Sequence, residues 1–142
     1  MDNVTALLGL ALRAGRLAAG EEAVEVVCRA HKAYLMLLAS DAAENTIRRA
    51  GHIRSEKTVC LTIPLTKEEL GNCLGRASCA IAVISEIGFA ASLAEKLAQV
   101  DPATYGDARD TLTARAARFK KRRDDKRALQ KKTRTGKPSA RK

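Results

Sequence analysis

Three short apolar runs, residues 34–39 (YLMLLA), 59–63 (VCLTI) and 80–84 (AIAVI), carry almost no polar residue at alternate positions. A strand with one wet face alternates. A run without alternation is buried on both faces, which requires helices packed above and below the sheet. The segments between the runs have the helical period. Residues 3–14 place Val4, Leu7, Leu8, Ala11 and Leu12 on one side, and residues 21–30 do the same with Val24, Val27 and Cys28. Asp41 is positioned to cap a helix after the first run with Glu44 at its third position, and Thr66 with Glu69 forms a capping box after the second. A last core helix starts near Gly88, with Phe89, Leu93 and Leu97 at i, i+4 and i+8 and Ala90, Ala94 and Ala98 beside them. Strand and helix alternate, which predicts an α/β chain: a three-layer α/β/α sandwich around a mostly parallel or mixed sheet.

At 142 residues the chain has the length of one domain. Its charge is segregated. The first 100 residues hold eleven basic and eleven acidic side chains, whereas the last 42 hold fifteen and five, so the net +10 arises wholly from the end of the chain. The expected division is a neutral folded body over 1–100 and a basic tail over 101–142, mobile when free and conditionally helical over about 111–132 on a partner. A cationic tail points first to nucleic acid and second to an anionic membrane surface. The tail has too few large apolar residues for the second, so no membrane partner is expected. Ala6 to Leu12 is short, broken by Gly9 and followed by Arg13, so neither a leader nor a spanning helix is expected, and the chain reads as cytoplasmic.

Catalytic and metal patterns are absent from the sequence. Cys28, Cys60, Cys73 and Cys79 form no C-x-x-C pair, and His31 and His52 lie far from finger-like spacing, so no metal is expected and the cysteines read as small core residues. No phosphate loop, dinucleotide fingerprint or nucleophile–base set appears, so no cofactor and no enzymatic activity are expected. With two Phe, two Tyr and no Trp, recognition by the body is expected to use hydrogen bonds from loops rather than ring stacking.

One stretch poses a sharper question. Residues 15–29 (GRLAAGEEAVEVVCR) read as a glycine turn opening a helix whose start carries Glu21 and Glu22. Those acids suit the helix dipole and would repel a phosphate. They are also good acceptors for base N–H groups such as the N2 amino group of guanine, and Gly20 allows close backbone approach.

LLGLALRAGRLAAGEEAV, LLASDAAENT, IPLTKEELGNCLGR and AVISEIGFA, in this order over about residues 3–98, resemble the kink-turn RNA-binding ribosomal protein family, of the L-seven-Ae and L-thirty-e type, and especially its bacterial YlxQ-like branch. The resemblance implies a single α/β/α sandwich with a small mixed sheet of about four strands. It implies binding of kinked RNA through the start of the second helix and the loop before the last strand. By this resemblance Gly20, Glu21 and Glu22 meet guanines of tandem sheared G·A pairs. Lys67, Gly71, Arg76, Ala77, Ser78 and Cys79 form the second contact region. Ala23 and Val26 depart from the family, which often has Glu or Gln at the first position and Lys at the second; losing such a lysine removes a charge-assisted contact worth about 1–3 kcal/mol.

The expected function is therefore a non-catalytic RNA-binding protein for structured, kink-turn-like RNA, associated with ribosomal RNA or translation and monomeric. General affinity would come from Arg118, Lys120, Lys121, Arg122, Arg123, Lys126, Arg127, Lys131 and Lys132 on the RNA backbone. The alternative is a protein-interaction module of the same fold whose only RNA affinity is the non-specific attraction of its tail.

Overall fold

The computed structural model describes residues 1–141, with side chains to Gln130. Ten elements follow in order: α1 (Asp2–Arg13), β1 (Leu17–Ala19), α2 (Glu21–Arg29), β2 (Leu35–Leu38), α3 (Glu44–Ile53), β3 (Val59–Thr62), α4 (Lys67–Cys73), β4 (Ile81–Ile84), α5 (Ile87–Val100) and α6 (Pro102–Arg141). The sheet order is β1-β4-β2-β3. β4 is antiparallel to both neighbours, while β2 and β3 are parallel, so the sheet is mixed as expected.

The lack of alternation in β2 and β4 is explained by two cores on opposite faces. Leu35, Leu37, Ala82 and Ile84 enter one with residues of α1, α4, α5 and α6. Met36, Leu38, Ile81 and Val83 enter the other with Val24 and Cys28 of α2 and Ala50 of α3. Side chains at successive strand positions point to opposite faces, so both parities must be apolar when both faces are covered. β3 departs from that expectation: it lies at the sheet edge, with Val59, Cys60 and Leu61 half-buried and Thr62 exposed. β1 is a fourth strand that the apolar pattern does not reveal, being only three residues long.

The capping box at Thr66 is present in full: its hydroxyl accepts from the Glu69 N–H at 3.2 Å, and the Glu69 carboxylate accepts from the Thr66 N–H at 2.9 Å. Asp41 does something other than expected. α3 starts from Ala43 with no side-chain cap, and the Asp41 carboxylate instead accepts from the Lys67 N–H at 2.7 Å. It thus serves the N-terminus of α4. Both segments meet at one end of the sheet, where the Ser40 N–H also donates to the Leu65 carbonyl at 2.8 Å.

The packed body does not end at Val100. Tyr105 and Leu112 of α6 are buried in the same core as Leu93 and Leu97 of α5, with Ala116 packed against it. The Tyr105 hydroxyl donates to the Thr62 carbonyl at 2.7 Å, and Arg115 Nη1 donates to the Lys57 carbonyl at 2.5 Å. α6 therefore runs beside the edge strand, Tyr105 at its end and Arg115 at its beginning. The helix is continuous to Arg141, and every side chain from Ala117 to Gln130 is exposed.

Candidate nucleic-acid interface

The end of β1 leads directly into α2 through Gly20, whose backbone stands at φ 91°, ψ 154°. That conformation is open in practice only to glycine. The turn is pinned to the sheet, because the Gly20 N–H donates to the Ile81 carbonyl at 3.0 Å, and the Gly20 carbonyl accepts from Val24 at 3.0 Å as the first bond of α2. Arg76 closes over it: Nη1 lies 3.4 Å from where a Cβ on Gly20 would be.

The loop carrying Arg76 is held as tightly. The Gly71 carbonyl accepts from the N–H groups of Leu74 and Arg76, and the Lys67 carbonyl accepts from Cys79. A Cβ on Gly71 would stand 2.7 Å from the Ser78 backbone, so only glycine lets α4 approach the loop this closely. Arg76, Ala77 and Ser78 are exposed on this support, and Lys67 is half-exposed at the start of α4. Gly20, Glu21, Glu22, Lys67, Arg76, Ala77 and Ser78 are thereby gathered at one end of the sheet.

Two expected contact residues do not present a surface. Gly71 is buried and shapes the loop. Cys79 is 4% exposed and its thiol donates to the Ile81 carbonyl at 3.2 Å, so it is a packing residue and not a contact. Burial pushes that thiol above its ordinary pKa, while hydrogen bonding to backbone at Ile81 and Gly20 and the charge of Arg76 pull the other way. Burial is likewise the largest influence on Cys28, Cys60 and Cys73, all raised, which keeps them protonated and poor nucleophiles or ligands. Among the described residues no cluster could hold a metal ion.

The two glutamates are inequivalent. Glu21 Oε1 accepts from Arg49 Nη1 of α3 at 3.0 Å. Glu22 is exposed, with no ion-pair partner among the described residues. Both line a cleft of about 300 Å³ between α2 and α3 with Glu25, Arg49, His52 and Ile53. Glu25 is paired with Arg29 one turn on. Sequence reading did not find Arg49 or His52, which lie 28 or more residues from Glu21; the adjacent arginines 48 and 49 were the available signal. The site therefore offers acceptor carboxylates beside a guanidinium, a set suited to bases with exposed N–H groups and an adjacent phosphate.

The basic stretch lies elsewhere. β3 ends where β2 ends, since the Ile63 N–H donates to the Leu38 carbonyl at 2.9 Å, and the Ala39 N–H donates to Ala80, next to Ile81. Tyr105 sits at this end and Arg115 at the other, so α6 carries Arg118, Lys120, Lys121, Arg122, Arg123, Lys126 and Arg127 away from the Gly20 corner. The side chains of Lys131 and Lys132 lie outside the described residues. Among the described residues no helix is long and apolar enough to cross a membrane.

Relatives share this framework. RNA-binding protein YlxQ of Bacillus subtilis (strain 168) is 33% identical over 91 residues, covering 61% of this chain and 87% of that protein. A Bacillus halodurans protein whose structure was solved with its function unknown superposes with a TM-score of 0.58 at 26% identity, over 66% of this chain and 95% of the other. The Giardia lamblia 15.5kD RNA binding protein shares the fold with a TM-score of 0.53 at 18% identity, over 66% of this chain and 82% of the other. The model of the ribosomal protein L7Ae/L30e/S12e/Gadd45 family matches residues 2–93, all of the sheet, the first four helices and the first half of α5, and the chain belongs to that family.

Proposed function

We propose that this chain is a non-catalytic, cytoplasmic RNA-binding protein that acts as a monomer on structured, kink-turn-like RNA of the ribosome or translation machinery. The observation that carries the reading is the pinned Gly20 corner, where the exposed guanidinium of Arg76 packs over the glycine at the start of the helix that carries the exposed carboxylates of Glu21 and Glu22. The family and the name of the Bacillus subtilis relative support RNA as the ligand. Glu22 and Glu21 accept base N–H groups; Arg76 and Lys67 engage phosphates. α6 adds attraction that is blind to sequence.

Val26 is 67% exposed on α2 but Val24 is fully buried, so the two form no apolar patch that would favour the second reading, a module that docks on protein. Titration of the full chain with a kink-turn RNA, and with a control whose G·A pairs are replaced by Watson–Crick pairs, separates the two. RNA recognition predicts tighter binding of the kinked form, and a loss of about 1–3 kcal/mol of that preference in Glu22→Ala. Equal affinity for both RNAs sinks the kink-turn reading and leaves the interaction module.

A further inference from the structure

At the end of the sheet opposite the Gly20 corner, α6 and the segments entering β2 and β3 enclose a cleft of about 800 Å³. Cavities of roughly 300–1,000 Å³ hold drug-sized molecules, the size class of one nucleotide. Tyr34 and Phe119, two of the four aromatic rings of the chain, line it. Around them stand Lys57, Arg115, Arg118 and Arg122 against one acid, Glu56.

The rings and cations are differently employed. Arg115 is committed to the Lys57 carbonyl and fixes the wall. Arg118 has no hydrogen bond or ion pair among the described residues. Phe119 is 45% exposed, although the core lies within reach of the same helix at Ala116. The Arg122 guanidinium stands over the Phe119 ring at 6.0 Å from its centroid. Sandwiching a base between two planes takes about 7 Å, two contacts of roughly 3.5 Å each, so a small movement of this exposed side chain opens the space.

We propose that this cleft is a second RNA site, distinct from the Gly20 corner, that takes an unpaired nucleotide of a single-stranded segment. The base stacks on Phe119 beneath Arg122, and Arg118 and Lys57 hold the flanking phosphates. Bare polyanion attraction needs no ring; a ring beside several cations suits a ligand that repeats a flat base and a phosphate at every unit, as a single-stranded nucleic acid does. The proposal shares with the function above only that RNA is the ligand.

The test uses the full chain, a fluorescent, unstructured uridine-rich RNA dodecamer, and the absence of tryptophan from the sequence. Phe119→Trp should retain affinity, and its indole emission, the sole tryptophan signal, should be quenched on saturation with RNA. Phe119→Ala should weaken binding about 5- to 150-fold, the value of one stacked base, with the salt slope unchanged. Arg118→Glu with Arg122→Glu should lower the slope. Phe119→Ala should leave the preference for a kink-turn RNA over its Watson–Crick control unchanged, so failure of the corner reading and failure of this one are distinguishable. Unchanged affinity in Phe119→Ala, unquenched indole emission of Phe119→Trp at saturation, or competition by polyglutamate as effective as by RNA would each overturn the proposal.

Discussion

Gly71 shows how one missing methyl positions an exposed loop. On an open helix surface Gly→Ala gains about 0.8–1.0 kcal/mol of helix propensity. Here the added Cβ would meet the Ser78 backbone at 2.7 Å, a contact with main chain that no rotamer change relieves. Overpacking of that kind costs typically 1–3 kcal/mol, so the sign reverses. Gly71→Ala is expected to lower the urea midpoint and to shift the amide resonances of Arg76, Ala77 and Ser78; a raised midpoint with an unmoved loop would contradict the close approach. Gly20 and the two glutamates were legible from the sequence, because a turn glycine followed by acids is a local pattern. The orientation of Cys79 was not. Cys79 precedes β4, both of whose faces are covered, and it is turned into the core where its N–H bonds the Lys67 carbonyl, a contact between segments that spacing along the chain does not show. The Glu21–Arg49 pair was hidden for the same reason: it joins two helices through packing rather than through spacing.

Asp41 and Thr66 make the same contrast between elements. Thr66 and Glu69 cap each other within one turn, so their roles followed from spacing alone. Asp41 had a local partner available in α3 and took a distant one in α4, because the turn after β2 and the turn before α4 share the end of the sheet. The Lys67 N–H that it accepts is one of the free donors at the start of a seven-residue helix, and losing a helix N-terminal acceptor costs typically about 1 kcal/mol. Asp41→Ala is expected to destabilise the protein by about that amount in urea unfolding, comparable with Thr66→Ala. It should also loosen Lys67 relative to the loop that its carbonyl anchors. A loss confined to helix content of α3 would restore the local cap. β1 escaped notice because three residues rich in alanine carry no strand signal; it forms only because β4 offers an open edge.

At the scale of the molecule, α6 joins two functions that composition separated. Its charge is tail-like, yet Tyr105 and Leu112, seven residues apart on one helical face, are core residues, and the Tyr105 hydroxyl caps the end of the edge strand. The i, i+7 spacing was readable, but the net charge beyond Val100 outweighed it. From Arg118 onward the sequence carries thirteen basic and two acidic residues. At 1.5 Å per residue the part beyond Phe119 reaches about 35 Å. The two cuts should therefore behave differently. Removing everything after Val100 strips two buried side chains worth about 1.5–3 kcal/mol each, a large part of the 5–15 kcal/mol that typically holds a domain together. Its thermal unfolding midpoint should fall steeply. A cut after Ala117 keeps Tyr105, Leu112 and the Arg115 latch, and should unfold close to the full chain. That second cut should also flatten the dependence of RNA affinity on salt, by about 0.7–0.9 in log–log slope for each phosphate no longer contacted. Because α6 leaves from the pole opposite Gly20, preference for a kinked over a Watson–Crick control RNA should survive this cut while total affinity drops. Identical slopes for the two lengths would place the phosphate contacts on the body and deny α6 its part in binding.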